Sequence, residues 1–252
     1  MRKKLSPISS FHYIRLVCRS LLFLGTTAMY IVSRIKKTEG MIPHFKNAFW
    51  ILAVIWVAYA VEMALRFFPA KLESMGCQKQ FTRNYKPTGT TDKPEMTSGK
   101  RVLAVLAAWV ALNGAIGALY FAKIIDRDVL VLVSLAYGVC DMICILFFCP
   151  FQEWFLKNRC CTLCRIYNWD FAMMFTPYIF IPSLYTWSLL AMSLAILVRW
   201  ELTAALRPER FAENTNSCLS CENCKEKLCH HKKRLHTFWK KDRKRFFPAK
   251  NK

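Results

Sequence analysis

The sequence predicts an all-α integral membrane protein, a bundle of about five hydrophobic helices with a small cysteine-rich tail. Three observations predict it. Of the 252 residues, 54% are apolar, and a mean hydropathy of +0.19 makes the bilayer the natural solvent. Five apolar stretches of about 20 residues, the length needed to cross a hydrocarbon core, are separated by polar connections. Lysines and arginines number 37 against 16 acidic residues, a net charge of +21. Much of that excess falls in connections and at segment ends, where basic residues set orientation and meet anionic lipid. Nucleic acid, the other partner of a basic chain, is not expected.

The boundaries divide the chain into a multi-span domain, 1–200, and a basic tail, 201–252. The first segment, 13–33, carries Arg15 and Arg19 in its first half. It is a span whose arginines snorkel or, as the alternative, an interfacial amphipathic helix. The second, 48–68, contains Glu62 and Arg66 one helical turn apart, and a local ion pair is expected. Residues 70–100 hold Pro87, Gly89, Pro94 and Gly99 and predict a loop with little regular structure. The third segment, 102–122, is rich in alanine and glycine at helical spacing, which favours close helix approach in lipid. A short turn joins it to the fourth, 129–149, where Cys140, Asp141 and Cys144 fall near mid-depth. A carboxylate there needs a partner or a wet cavity. The last stretch, 171–200, is broken by Pro177 and Pro182. It is either one tilted span or a segment that dips in and returns.

Twelve cysteines mark the chemistry. Cys218, Cys221, Cys224 and Cys229 lie within twelve residues of the tail, followed by His230 and His231. Four thiolates suffice for a tetrahedral zinc or a cubane iron–sulfur cluster. The first three spacings resemble the C-x2-C-x2-C run of bacterial-type ferredoxins, although the fourth gap is one residue longer and His230 stands where that motif has proline. The resemblance covers about a dozen residues and implies an iron–sulfur cluster, with zinc as the alternative. A second set comprises Cys149, Cys160, Cys161 and Cys164, in which adjacent cysteines seldom serve one metal.

Folding the last stretch back on itself gives the greatest basic asymmetry between the two sides. It also sets the 150–170 loop beside the tail, on the cytoplasmic face of a multi-pass cell-membrane protein. Cytoplasmic thiols stay reduced and free to bind metal. The expected function is electron transfer through a cysteine-ligated cluster, with an acidic soluble redox protein as partner. A soft-metal transporter or sensor, using Cys140, Asp141, Cys144 and Glu62 as a path, is the alternative. A zinc-stapled membrane scaffold is the third reading. No phosphate-cradling glycine loop, H-E-x-x-H or defensible nucleophile motif occurs, so no catalytic residue is assigned.

Overall fold

The computed structural model describes residues 6–36, 49–71, 73–90, 92–224 and 226. Among these residues the chain is helical, with no strand and one isolated bridge, between Pro87 and Asn216. The helices are α1 (Pro7–Ile35), α2 (Phe49–Leu65), the single turn α3 (Met75–Gln78), α4 (Gly99–Phe121), α5 (Arg127–Leu146), α6 (Asp170–Phe175) and α7 (Leu184–Leu206). Four of them, α1, α4, α5 and α7, are long and apolar enough to cross a membrane. The 17-residue α2 is apolar but shorter. The outward faces carry the exposed leucines, valines and phenylalanines expected of lipid contact, among them Leu21, Leu24, Val110, Phe121 and Leu202.

Each long helix starts and stops for local reasons. Ser6 caps α1, accepting from the Ser9 N–H, and Pro7 opens it without wasting a donor. Asp126 caps α5 through the Val129 N–H at 3.0 Å. It also pairs with Arg34 near the far end of α1, so the end of α1 and the α4–α5 turn meet. At the other end, Ser9 Oγ donates to the Glu226 carbonyl at 3.1 Å. The packing of α1 along α5 is the most extensive helix contact in the molecule.

The last apolar stretch is not one helix. Asp170–Phe175 is α6, Thr176–Phe180 continues as a 3-10 turn, and α7 begins at Leu184 after the break at Pro182. Along this path Asp170 meets Arg66 near the end of α2, Ser134 Oγ donates to the Met174 carbonyl at 2.8 Å, and Phe180 packs on Gly117 near the end of α4. The stretch is therefore broken rather than one continuous helix, and α7 packs back against α6. Proline supplies the break because it lacks an N–H to continue the ladder. The small-residue stripe of α4 is used differently from expectation. A Cβ on Gly117 would stand 2.4 Å from the Phe180 ring, so this glycine admits an aromatic side chain, while nothing lies within 4 Å of Gly114.

Three polar segments interlock at one end of the bundle. Ser217 N–H donates to the Lys86 carbonyl (2.9 Å) and Asn214 Nδ2 to that of Lys93 (2.8 Å), tying the start of the tail to the 70–98 loop. Lys79 joins that loop to the cysteine segment, donating to the carbonyls of Thr162 (2.9 Å) and Cys164 (2.8 Å). Glu226 reaches back to cap α3, accepting from Ser74 Oγ (2.8 Å) and the Met75 N–H (2.6 Å).

Candidate metal centre and thiol-lined cleft

The charged residues that interrupt the apolar segments turn inward and pair with one another. Arg15 Nε lies 2.9 Å from Glu62 and its Nη2 2.6 Å from Glu73. Arg19 bridges Glu62 (3.2 Å) and Asp141 (3.0 Å) and donates to the Gly138 carbonyl at 3.1 Å. Arg66 donates to Asn168 Oδ1 (2.8 Å) and to Asp170 (2.9 Å), with Glu73 at 3.8 Å. Three guanidiniums and four carboxylates thus form one buried network across α1, α2, α5 and the start of α6. The expected Glu62–Arg66 pair is corrected: α1 offers Glu62 two arginines, and Arg66 finds Asp170 and Glu73 instead. Arg15 and Arg19 of α1 do not extend to the surface but are buried against carboxylates.

Outside the spans the field of this network is plain. Burial would raise the Glu73 carboxyl, but the Arg66 and Arg15 guanidiniums beside it hold it below the usual range. Burial pushes the Cys77 thiol up to about 12. Burial also lowers Lys79 to about 8, against the pull of Cys164. The Lys79 ammonium lies 5.4 Å from the Trp200 ring and 5.5 Å from that of Phe211, a favourable setting for a cation out of water.

The cysteines separate into two places. At the polar end, Cys218 and Cys224 line a cavity of about 270 Å³ together with Glu73, Arg83 and Glu226, and Cys221 is exposed beside it. Cys160 lies in the other segment and does not line this cavity. Burial pushes the Cys160 thiol up, while the N–H groups of Leu163 and Thr162 aim at its sulfur and favour the thiolate. Of the tail residues expected to bind metal, Cys229, His230 and His231 lie outside the described residues.

Cys161 faces the other way. It lines, with Cys140, Cys144, Cys149 and Cys164, a cleft of about 120 Å³ between α5 and the 149–174 segment. Gln152 sits between neighbours, its N–H 3.4 Å from Cys149 Sγ and its Oε1 accepting from Cys161 Sγ at 3.2 Å. The π-helical turn Phe151–Leu156 aims this glutamine, and Lys157 ends that turn in the left-handed region at φ 53°. Of the second cysteine set, Cys149, Cys161 and Cys164 line this cleft and Cys160 does not. Among the described residues no three of His, Cys, Asp and Glu are gathered to hold a metal ion.

Sequence reasoning missed the extent of the ion network. The carboxylates that meet Arg15 and Arg19 come from distant segments, which no local spacing announces. No protein family matches the chain, and no curated protein or solved structure shows detectable similarity to it.

Proposed function

We propose that this is a multi-pass membrane protein carrying a cysteine-ligated metal centre at its polar end, on the cytoplasmic side, and acting in electron transfer. The observation that carries the proposal is the placing of Cys218 and Cys224 on one cavity at the polar end, with Cys221 between them in sequence. With Cys229 they supply four thiolates, and His230 and His231 follow in the same tail. An iron–sulfur cluster suits the C-x2-C-x2-C spacing, and zinc is the alternative occupant. Arg159, paired with Glu213 beside this group, adds positive charge next to an anionic cluster, and the basic tail suits an acidic soluble donor and anionic lipid.

Metal and acid-labile sulfide analysis of anaerobically purified protein tests this. Iron and sulfide in similar amounts, with both lost in Cys218→Ala and in Cys221→Ala, are expected. Zinc without sulfide removes the electron-transfer reading and leaves a stapled scaffold, while a metal-free preparation removes the centre altogether.

A second reading, movement of a soft metal ion, is favoured by the thiol-lined cleft beside Asp141. It predicts that Asp141→Asn abolishes metal uptake into vesicles while metal bound at the tail persists. Unchanged uptake sinks it.

A further inference from the structure

We infer that the cleft between α5 and the 149–174 segment binds one small tertiary alkylammonium ion, its N–H donated to Asp170 and its alkyl groups packed among rings and sulfurs. The inference goes beyond the electron-transfer reading and is independent of the tail cysteines. It gives the cleft an organic cation where the second reading gives it a metal ion.

Charge comes first. The buried network sets the acids Glu62, Glu73, Asp141 and Asp170 against the guanidiniums of Arg15, Arg19 and Arg66. One negative charge is left over. His12, buried on the same helix as Arg15 and Arg19, has no hydrogen-bond partner for either ring nitrogen and so adds no cation. An unpaired charge out of water is costly unless a cation or a proton neutralises it. The shortfall has a location. Two of the four acids, Asp141 and Asp170, line the cleft. Arg66 holds Oδ2 of Asp170 at 2.9 Å, while Oδ1 is buried with no hydrogen-bond partner. The side chain is 5% exposed, so that oxygen has no bulk water to turn to. A buried acceptor left unfilled is a second cost. A cation that carries an N–H meets both needs at once.

The walls choose the kind of cation. Trp109, Tyr137 and Phe151 line the cleft and pack on one another, the Trp109 ring 4.6 Å from Tyr137 and 6.4 Å from Phe151. Ring faces attract an alkylated ammonium. Met173, Met174 and five cysteines make up much of the remaining wall. Neutral thiols and thioethers pack as small apolar groups. An alkali or divalent ion would have to shed water that these walls do not replace. An ammonium with three N–H groups would leave donors unfilled as well, whereas one vacant oxygen asks for one N–H. The space, about 120 Å³, is room for a nitrogen and a few carbons. Cys140 lines the cleft and is exposed on α5, so the space reaches the outer surface of that helix. Binding involves no covalent or redox step, because the protonated amine brings its own charge.

The test uses full-length protein in an uncharged detergent near neutral pH. Trimethylammonium chloride is the probe, and tetramethylammonium chloride, equal in charge but without an N–H, is its control. Alkylation of Cys140 by a small thiol reagent, followed by mass spectrometry, should slow saturably with the probe. Alkylation of Cys18, exposed and outside the cleft, should not change. Tetramethylammonium should need at least about tenfold more for the same protection, because it leaves Oδ1 unfilled. Asp170→Asn and Asp141→Asn each remove the surplus charge and should weaken protection at least about tenfold. Asp141→Asn leaves both Asp170 oxygens in place, so it reports the charge even where the Asp170 variant folds poorly. The unfolding temperature of the wild type, raised by the probe and not by its control, gives a reading free of any substitution. Equal protection by the two ions, protection unchanged in both variants, or none in the wild type overturns the inference.

Discussion

The two halves of the helix bundle are held together by opposite means. Towards the polar end, α1, α2 and α5 are joined through Arg15, Arg19 and Arg66 and the carboxylates of Glu62, Glu73, Asp141 and Asp170. Towards the other end, beside the exposed Arg34–Asp126 pair, the buried contacts are mainly rings: Phe175 stacks on Tyr178 at 5.5 Å and meets Tyr59 edge-on at 5.5 Å, while Phe180 packs on Tyr120 at 6.2 Å. Ring packing is short-ranged and forgiving of small shifts. Buried charge is neither, because each ion has left water and must find its partner within a few ångströms. The ionic half thus fixes which helices meet and in what register, and the aromatic half fills the space that results. The ionic half is also the one beside both cysteine sites.

The largest break in this comparison should come from Arg66, 2% exposed and bonded to Asn168, Asp170 and, more distantly, Glu73. Arg66→Met leaves the buried Asp170 carboxylate without its guanidinium, takes the more distant of two from Glu73, and is expected to cost about 3–5 kcal/mol. Thermal unfolding in detergent measures it, and a loss below about 1 kcal/mol would show that the network is solvated rather than structural.

The aromatic half should respond less. Gly117→Val forces the Phe180 ring away and is expected to cost about 1–3 kcal/mol. Gly138→Ala meets mainly the flexible Met174 thioether and should be close to neutral. The same unfolding assay ranks the two, and the reverse order would mean that Phe180 is free to swing aside.

Smallest is the effect of acid on Glu73. Its carboxyl titrates below the ordinary value in the folded chain because Arg66 and Arg15 favour its charge. The contribution is complete above the unfolded-state value, about pH 4.3, and is lost as pH falls through the lower folded value. The unfolding temperature of the wild type should drop across that acidic window. Glu73→Gln should start lower and show a shallower drop, and identical slopes would remove Glu73 from the acid response.

Much of this arrangement was legible in the sequence. Apolar length located α2, α4 and α5 closely, but α1 starts at Pro7, ahead of the expected 13, and α7 runs to Leu206, past the expected 200; Pro177 with Pro182 announced the broken final segment. Charge partnership was not legible. Arg15 and Arg19 read as interruptions of a span because their carboxylates arrive from α2, the 70–98 loop and α5, and no local spacing encodes that meeting. The cysteines were legible as chemistry but not as groupings. Cys160 and Cys161 part company because of backbone angles in a short irregular turn, which composition does not carry. Gln152 gave no signal, being polar in a polar loop until the π-turn aims it at two thiols.

Lys79 gives the polar end an internal reporter. Its ammonium is fully enclosed and committed to the carbonyls of Thr162 and Cys164, while Lys71, Lys157 and Lys123 are exposed. An amine-acylating reagent reaches those three directly, but it reaches Lys79 only when the loop carrying Cys160, Cys161 and Cys164 lifts away. The rate at which that single lysine takes up label is therefore a clock for the opening of the loop shared by both thiol sites, and anything that ties the loop down will slow it.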